Sequence, residues 1–300
     1  MIIGIDVGGT RMSGGLASGD GRLLARVRHS TDRMGGAGAG LRLICAIVTE
    51  LLERATSEAQ PVGRIGIGFG GPVDFERGVV LKSHHVAGWE GVPLRDELEQ
   101  RFQKPVIVDN DANAGTLGEW KFGAGRGFEH LIYVNIGTGI GGGVVAGGRL
   151  VRGAGNLAGE IGHIVVRRSG PLCTCGKSGC LEACASGDAI ARRGSEALGR
   201  AVTGVELFGL ARDGDAAAQT VLAGVIDDLA VGIGTAVSLL NPEAVIVGGG
   251  LSEAPEALFL DPLRRAVPDY CLAEAAAGLL IEAAQLRYDA GIMGAIALAL

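Results

Sequence analysis

The amino-acid sequence predicts an α/β protein whose two domains share one design. Its 300 residues are about twice the length of a typical domain. Short apolar runs that end in glycine alternate with longer segments whose apolar residues recur at helical spacing. One pattern occurs twice, as IDVGGTRMSGGLASGDGRL from Ile5 and as VNIGTGIGGGVVAGGRL from Val134. The repeat favours two similar domains that face each other, and one larger α/β domain is the alternative.

The first copy of the repeat predicts a β-meander. Residues 2–7 and 12–17 flank the Gly8–Gly9 pair, and the run RLLARVRHS follows a second glycine turn. Apolar residues at helical spacing then predict a helix over 41–56. The elements predicted next are a strand with a glycine loop at 64–74, a helix at 93–102 and a short buried strand at 106–113.

The second copy of the repeat is followed by three further elements. They are a long helix at 215–240, a strand that runs into glycines at 244–252 and an Ala-rich helix at 289–300. Strands that alternate with helices in this way are typical of α/β proteins.

The composition argues against several classes of partner. A net charge of −6 disfavours nucleic acid, whose binding normally requires a basic face. No apolar run without glycine or charge reaches the roughly 18–20 residues needed to cross a bilayer, so we expect no membrane partner. The N-terminus starts on an apolar run without a basic segment or cleavage site, which favours a cytoplasmic location.

The glycine turns of the two repeats are candidate phosphate-binding turns. In D-V-G-G-T, the backbone N–H groups of residues 8–10 would converge on phosphate oxygens, and Asp6 would hold Mg²⁺ through water. Arg11 stands where a lysine could serve the phosphates. The second turn is G-T-G-I-G-G-G at 137–143. An ordinary hairpin turn is the alternative for either one alone, and the sequence contains no P-loop motif.

The acidic run Asp109-Asn110-Asp111 follows the predicted buried strand. Strand alternation would place Asp109 and Asp111 on one face unless the chain turns there. A carboxylate at a strand end can accept the proton of an attacking hydroxyl during phosphoryl transfer, so Asp111 is the candidate base. The alternative is a turn or a helix N-cap.

A metal cluster is the most specific local signal in the chain. His163, Cys173, Cys175 and Cys180 lie within eighteen positions and supply a Cys₃His ligand set that closes a tetrahedral zinc site. Four protein ligands leave no open position, so the zinc is predicted to be structural. Cys184 is interpreted as a buried bystander, and a disulfide is the less favoured alternative in a reducing compartment.

Two carboxylates flank the predicted metal cluster. Glu160 precedes His163 by three positions, and Glu182 follows Cys180 by two. A loop that a metal holds rigid is well suited to present acids to sugar hydroxyls, and His163 can use its second ring nitrogen in the same way. As plain surface acids, both residues would need no special explanation.

Together these features resemble the ROK family, which comprises bacterial sugar kinases and sugar-responsive repressors. The resemblance spans almost the whole chain. It is carried by IGIDVGGTR at the start, VDNDANAGTLGE at 108–119, NIGTGIGGGVV at 135–145, GEIGHIVV at 159–166, CTCGKSGCLE at 173–182, and VIVGGGLS and DAGIMGAIALA toward the end.

The resemblance implies an actin-like ATPase (ribonuclease H-like) α/β fold with two duplicated domains around a central cleft. We expect residues 1–114 and 288–300 in a smaller domain, and 115–287 with the zinc loop in a larger one. The resemblance also implies a hexose and ATP with Mg²⁺ as ligands, a structural Zn²⁺ ion and a homodimer.

Specific residues match the functional positions of the family. Asp111 is expected to be the general base. The residues expected at the sugar are Gly71, Asn110, Asp111, Glu160, His163 and Glu182. Those expected at ATP and Mg²⁺ are Asp6, Gly8, Gly9, Thr10, Arg11, Thr138, Gly139, Gly249 and Gly250.

Three departures from the family pattern concern the substrate. The kinases commonly read P-G-P where this chain has Gly70-Gly71-Pro72, and many glucose-type members have asparagine where His85 precedes Trp89. Arg11 replaces the usual lysine. The double glycine and the stretch after it also look similar to N-acetylmannosamine kinases.

We expect phosphorylation of the 6-hydroxyl of glucose, with N-acetylmannosamine as the alternative substrate and other hexoses after it. The hexose is expected to bind between the two domains. A non-catalytic sugar sensor is the alternative of another class, and the joint presence of Asp6, Asp111 and both turns disfavours it. The chain opens on the first kinase strand, so we do not expect a DNA repressor.

Overall fold

A computed structural model of the chain describes residues 1–32, 35–56, 60–83 and 86–300. These residues form two compact units. The first contains Met1–Gly127, Leu150–Ala158 and Tyr288–Leu300, and the second contains Phe128–Arg149 and Gly159–Arg287. Each unit has an apolar core of its own.

The strands and helices alternate along most of the chain. The strands are β1 (Ile2–Val7), β2 (Arg11–Ala17), β3 (Leu23–Ser30), β4 (Arg64–Phe69), β5 (Val73–Asp74), β6 (Val79–Val80), β7 (Val106–Asn110), β8 (Leu131–Ile136), β9 (Ile140–Ala146), β10 (Arg149–Val151), β11 (Ala244–Gly248) and β12 (Leu280–Ala283). The helices are α1 (Gly36–Ala55), α2 (Leu94–Phe102), α3 (Asp111–Phe122), α4 (Leu181–Ala185), α5 (Gly187–Leu198), α6 (Gly204–Arg212), α7 (Ala216–Leu240), α8 (Leu260–Ala266), α9 (Ala273–Ala276) and α10 (Ala290–Leu298).

The two units contain sheets of the same design. Among the described residues, the first sheet has the strand order β3-β2-β1-β4-β7 and the second has β10-β9-β8-β11-β12. In the first sheet, β1 pairs antiparallel with β2 and parallel with β4. In the second sheet, β8 pairs antiparallel with β9 and parallel with β11. The repeat in the sequence therefore corresponds to a structural repeat, as predicted.

The register of the two hairpins confirms the alignment of their motifs. Asp6 lies opposite Ser13 in the first hairpin, and Asn135 lies opposite Gly141 in the second. Both residues come one position before the last residue of their strand. Asp6 and Asn135 thus occupy equivalent places beside the two glycine turns.

Helix α1 shows why the apolar spacing predicted it correctly. Ile44, Ile47, Val48 and Leu51 are fully buried in the core of the first unit, and this spacing places them on one helical face. The helix begins at Gly36, five residues before the predicted start. The predicted strand at 106–113 is shorter than expected, because α3 begins at Asp111.

The C-terminal helix α10 belongs to the first unit and packs very closely there. A Cβ atom on Gly66 of β4 would lie 1.8 Å from the carbonyl oxygen of Ala295, and one on Gly294 would lie 2.3 Å from that of Ala114. Glycine is required at both positions because the backbones approach so closely. Since α3 contacts α10, the whole of α3 falls in the first unit, and the boundary lies later than the predicted 114/115.

Helix α7 is the one described helix that is long and apolar enough to span a membrane. Two-thirds of its most apolar 18-residue window is buried inside the protein. Val225, Leu229 and Ile233 are among its buried residues. It is the central helix of the second core, against which α4, α5, α6 and α8 pack.

Candidate active site

The first glycine turn connects β1 to β2. The N–H of Gly8 donates to the carbonyl oxygen of Arg11 (3.1 Å), which closes the turn. Thr31 supports it from the end of β3: its hydroxyl donates to the carbonyl oxygen of Gly8 (3.0 Å), and its N–H donates to that of Thr10 (3.0 Å). The side chains of Thr10 and Arg11 are exposed. The turn is therefore held from behind while its outer face stays open to a ligand.

Asp6 lies at the base of this turn, half-buried against the start of α10. A Cβ atom on Gly291 would lie 2.5 Å from the Asp6 carboxyl carbon. Burial raises the pKa of Asp6 from 3.8 to about 6, although the positive charge of Arg28 acts in the opposite direction. A bound cation would favour the charged form of such a carboxyl group. The site thus suits a carboxylate that holds Mg²⁺ through water.

Asp111 and the first turn both lie close to Gly70. A Cβ atom on Gly70 would lie 3.6 Å from Asp111 Oδ2, 3.1 Å from the carbonyl oxygen of Val7 and 4.0 Å from the Cα atom of Gly8. The N–H of Gly70 also donates to the carbonyl oxygen of Val7 (2.9 Å). An exposed carboxylate thus stands next to a candidate phosphate turn in one unit.

The structure separates the roles of the two aspartates in the acidic run. Asp109 is 1% exposed, and its Oδ2 accepts a hydrogen bond from Arg152 Nε (2.9 Å). Its Oδ1 accepts the N–H of Asn110 (2.8 Å) and the side-chain amide of Asn113 (2.9 Å). Strand alternation does not extend to Asp111, because the chain turns there: β7 ends at Asn110 and α3 begins at Asp111.

Asn110 is the N-cap of α3, which was the alternative interpretation of this motif. Its Oδ1 accepts the N–H groups of Ala112 (2.9 Å) and Asn113 (3.3 Å). Its Nδ2 donates to the carbonyl oxygen of Gly71 (3.1 Å). A Cβ atom on Gly71 would lie 2.3 Å from the carbonyl oxygen of Lys82, so this position requires glycine. The cap fixes the first turn of α3 and therefore Asp111.

The second glycine turn connects β8 to β9 and is held by α4 and α5. Glu182 Oε2 accepts the N–H of Ile140 (3.0 Å), and a Cβ atom on Gly139 would lie 2.4 Å from the same oxygen. The N–H of Gly187 donates to the carbonyl oxygen of Gly137 (2.8 Å). Thr138, at the tip of the turn, is exposed. This turn, like the first, has a supported inner side and an exposed tip.

The glycine run after β11 lies beside the second turn. Gly249 has a φ of 80°, and a Cβ atom on it would lie 2.4 Å from the carbonyl oxygen of Ile136. Gly250 has no atom within 4 Å of its Cβ position, so the backbone there is open. Gly249, one of the residues expected at ATP, thus lies against Ile136, the residue before the second turn.

The four predicted metal ligands come together. One ligand atom from each of His163, Cys173, Cys175 and Cys180 lies within 4.8 Å of the other three. Cys173 Sγ is 3.7 Å from His163 Nδ1, and Cys175 Sγ is 3.6 Å from Cys180 Sγ. Tetrahedral zinc with bonds of about 2.3 Å to sulfur places its ligand atoms roughly 3.5–3.8 Å apart. The geometry and the donor set fit zinc, and these cysteines are not joined in a disulfide.

The thiols and the histidine of the cluster have two further features. Burial raises the pKa of the Cys180 thiol to about 12, and burial also raises the pKa of Cys173. Zinc binding would therefore have to displace both thiol protons. His163 Nδ1 faces Cys173 Sγ, and its Nε2 lies 4.0 Å from Glu160 Oε2. Glu160 and the second ring nitrogen of His163 are thus near each other.

Two arginines pair with the buried Asp228 and support the hairpin of residues 165–180, which carries the three cysteines and is called the metal hairpin below. Sequence reasoning missed this ion triplet. Asp228 of α7 is 2% exposed and accepts hydrogen bonds from Arg167 Nε (2.5 Å) and Arg193 Nη1 (2.8 Å). Arg193 also donates to the carbonyl oxygen of Cys184 at the end of α4 (2.8 Å). The N–H of Arg167 donates to the carbonyl oxygen of Gly179 inside the hairpin (3.2 Å). An aspartate in the middle of an apolar helix was the available signal.

Arg152 was likewise missed, because nothing near it in the sequence marks it. Its guanidinium carbon lies 3.7 Å from the centre of the Phe75 ring, beside its ion pair with Asp109. Arg152 belongs to the short segment Leu150–Ala158 of the first unit. His85, which stands where many glucose-type family members have asparagine, lies outside the described residues.

Comparisons with known proteins show the family of the chain. A family model described as the ROK family matches residues 2–300. The glucokinase of Thermotoga maritima is 41% identical over 98% of this chain and 95% of its own length. An N-acetylmannosamine kinase of Escherichia coli is 33% identical over 99% of this chain and 98% of its own length.

Two solved structures have a similar fold. A ROK hexokinase from Thermus thermophilus has a TM-score of 0.87 and 37% identity, with 99% of this chain and 97% of that chain covered. A ROK family glucokinase from Streptomyces griseus, in complex with glucose and AMPPNP, has a TM-score of 0.83 and 37% identity, with 99% and 98% covered.

Proposed function

This chain belongs to the ROK family, and from that premise we propose that it is an ATP-dependent hexose kinase that phosphorylates the 6-hydroxyl of glucose. The observation that carries the proposal is the position of Asp111. Its exposed carboxylate shares Gly70 as a neighbour with the first phosphate turn. A base beside a phosphate turn is what transfer from ATP to a hydroxyl requires.

We assign Asp111 the role of general base. It accepts the proton of the attacking sugar hydroxyl, while the N-cap of α3 keeps its backbone in place. Such positioned proton transfer contributes typically 10²–10⁴-fold to a rate. Asn110, Gly71, Glu160, His163 and Glu182 are proposed to contact the hexose.

The nucleotide is assigned to the glycine turns. Gly8, Gly9 and Thr10 present backbone N–H groups, Arg11 adds a positive charge, and Asp6 holds Mg²⁺ through water. Magnesium neutralises the charge that develops on the transferred phosphoryl group. The residues assigned to ATP in the second unit are Thr138, Gly139, Gly249 and Gly250.

We assign a structural role to zinc, held by His163 Nδ1 and the three thiolates. The four protein ligands complete a tetrahedral shell, so the ion supplies rigidity to the hairpin and to the helix that follows it. The reduced cysteines suit the cytoplasm, which we propose as the location. A homodimer is proposed from the family resemblance.

Glucose is proposed first because the glucokinases include the relative at 41% identity and a structure that binds glucose and AMPPNP. N-acetylmannosamine is the second candidate. The double glycine at 70–71 and the N-acetylmannosamine kinase at 33% identity favour it.

A coupled assay of ADP release with Mg·ATP tests the function. The panel is glucose, mannose, fructose, N-acetylglucosamine and N-acetylmannosamine. We expect the highest kcat/KM with glucose. Highest turnover with N-acetylmannosamine would identify that sugar as the substrate instead. Sugar binding without turnover of any sugar in the panel would favour the non-catalytic sugar sensor.

A further inference from the structure

Glu182 has more polar contacts than a sugar ligand requires. It follows the metal hairpin by two residues and is the second residue of α4. Its Oε2 accepts the N–H of Ile140 at the end of the second glycine turn (3.0 Å). Its Oε1 accepts a hydrogen bond from Thr174 Oγ1 (3.5 Å) and lies 3.8 Å from Cys173 Sγ. One carboxylate therefore contacts both the metal hairpin and the turn.

A second support of the turn comes from the chain just after α4. It comprises residues 137–139, between the paired residues Ile136 and Ile140. Gly187, just after α4, donates its N–H to the carbonyl oxygen of Gly137 (2.8 Å). A Cβ atom on Gly139 would lie 2.4 Å from Glu182 Oε2, so this position requires glycine. The turn therefore packs directly against the Glu182 carboxylate.

We propose that Glu182 is a positioning residue for the second phosphate turn and that it couples the metal hairpin to nucleotide binding. The inference rests on the proposed function, which assigns this turn to ATP. A hydrogen bond to a charged acceptor is stronger than a neutral one, so Glu182 holds the turn in the conformation that presents its exposed side to phosphate.

The negative charge of Glu182 opposes phosphate binding, whereas its hydrogen bond to Ile140 supports the turn. A single substitution that removed both would change the nucleotide affinity in two opposite directions at once. Glu182→Ala and Glu182→Gln are both neutral, but only the glutamine retains an oxygen for the Ile140 N–H. The ratio of their nucleotide affinities therefore isolates the hydrogen bond.

The first experiment measures the Kd of a nonhydrolysable Mg·ATP analogue by calorimetry without sugar. We expect Glu182→Ala to bind about fivefold more weakly than Glu182→Gln, as expected for the loss of one neutral hydrogen bond. Glu160→Ala is the matched control, because Glu160 is also assigned to the sugar but its carboxylate lies beside His163 Nε2. We expect its nucleotide Kd to equal that of the wild type.

Equal affinities of the Ala and Gln variants would overturn the inference and leave the proposed function intact. Failure of the wild type to bind the analogue would overturn both. Glucose affinity, measured on the same samples, is expected to fall in all three variants.

A second experiment tests the coupling to the metal. Protein is treated with a chelator, desalted, checked for folding by circular dichroism and titrated with the same analogue. We expect metal removal to weaken nucleotide binding in the wild type and to add little in Glu182→Ala, because the connecting carboxylate is already absent. An equal loss in both proteins would overturn the coupling. The Ala and Gln comparison does not depend on metal removal.

Discussion

The two glycine hairpins, β1–β2 and β8–β9, have the same strand register but differ in their supports. The first turn is held by Thr31, which reaches it directly from β3, and has Asp6 built into its own strand. The second has Asn135 at the equivalent place, and its carboxylate comes from Glu182 of α4. The backbone plan is therefore duplicated, whereas the acidic group is supplied from a different element in each unit.

The different supports should also make the two turns differ in how their stability responds to substitutions. The first turn is supported by Thr31, from the neighbouring strand. The support of the second continues from α4 through Arg193 to the buried Asp228, and from the metal hairpin through Thr174 to Glu182. We therefore expect the second turn to be sensitive to changes far from it, and the first to respond mainly to local substitutions.

Removal of the metal is expected to have the largest effect, and to act on one unit. The metal hairpin and α4 both belong to the second unit, and a structural zinc site contributes directly to folding. Hydrogen exchange after chelation should show lost protection in β8, β9 and α4, with the first sheet unchanged. Equal loss in both sheets would contradict the asymmetry.

Asp228→Ala should destabilise the second unit by about 2–3 kcal/mol, because it removes the charge-assisted hydrogen bonds to the half-exposed Arg167 and to the more buried Arg193. Urea unfolding measures this loss. The matched control is Asp213→Ala, at an exposed ion pair with Arg212, which should cost less than about 1 kcal/mol. Similar values for the two variants would contradict the role of the triplet.

Asp6→Asn should abolish most activity and yet stabilise the protein without magnesium. Because the folded pKa of Asp6 is raised from 3.8 to about 6, the native state binds the proton more tightly than the unfolded chain does. The free energy of unfolding therefore falls as pH rises from about 4 to 6, and the cost of roughly 2–3 kcal/mol persists above that range.

Urea unfolding of Asp6→Asn and wild type at pH 8 should show this gain, and at pH 4 the two proteins should nearly coincide. The same difference at both pH values would show that the charge of Asp6 is not its cause. Asn135→Ala, at the equivalent position of the other hairpin, should show no such pH dependence.

Thr31→Val is expected to have the smallest effect. It removes the hydroxyl bond to Gly8 and keeps both the shape of the side chain and the N–H bond to Thr10. We expect a loss of about 1 kcal/mol in the free energy of unfolding and a modest rise in KM for ATP. An unchanged KM would mean that the turn does not need this support.

Local sequence patterns predicted most of the fold and the candidate metal site. The repeated glycine hairpins, the apolar spacing of α1 and the Cys₃His cluster all follow from residues that are close in sequence. The end of β7 was harder to predict from the sequence, because an asparagine at position 110 can either continue the strand or cap a helix. Here the cap prevails, and it separates the buried Asp109 from the exposed Asp111.

The contacts that were missed join residues far apart in the sequence. Arg152 pairs with Asp109, Asp228 pairs with Arg167 and Arg193, and Glu182 reaches Ile140. No spacing rule connects such partners, because tertiary folding brings them together. A buried aspartate in the apolar helix α7 was a sign that some partner existed, but the sequence did not identify it.

The comparison of Asp111→Asn with the wild type tests the central claim most directly. Glucose binding is measured by calorimetry, and phosphoryl transfer is measured by ADP release with Mg·ATP. The account predicts glucose affinity within about threefold of wild type and turnover reduced by about 10²-fold or more, as expected for loss of a general base. Turnover above a few per cent of the wild-type rate, with normal glucose binding, would contradict the assignment of Asp111 as the base.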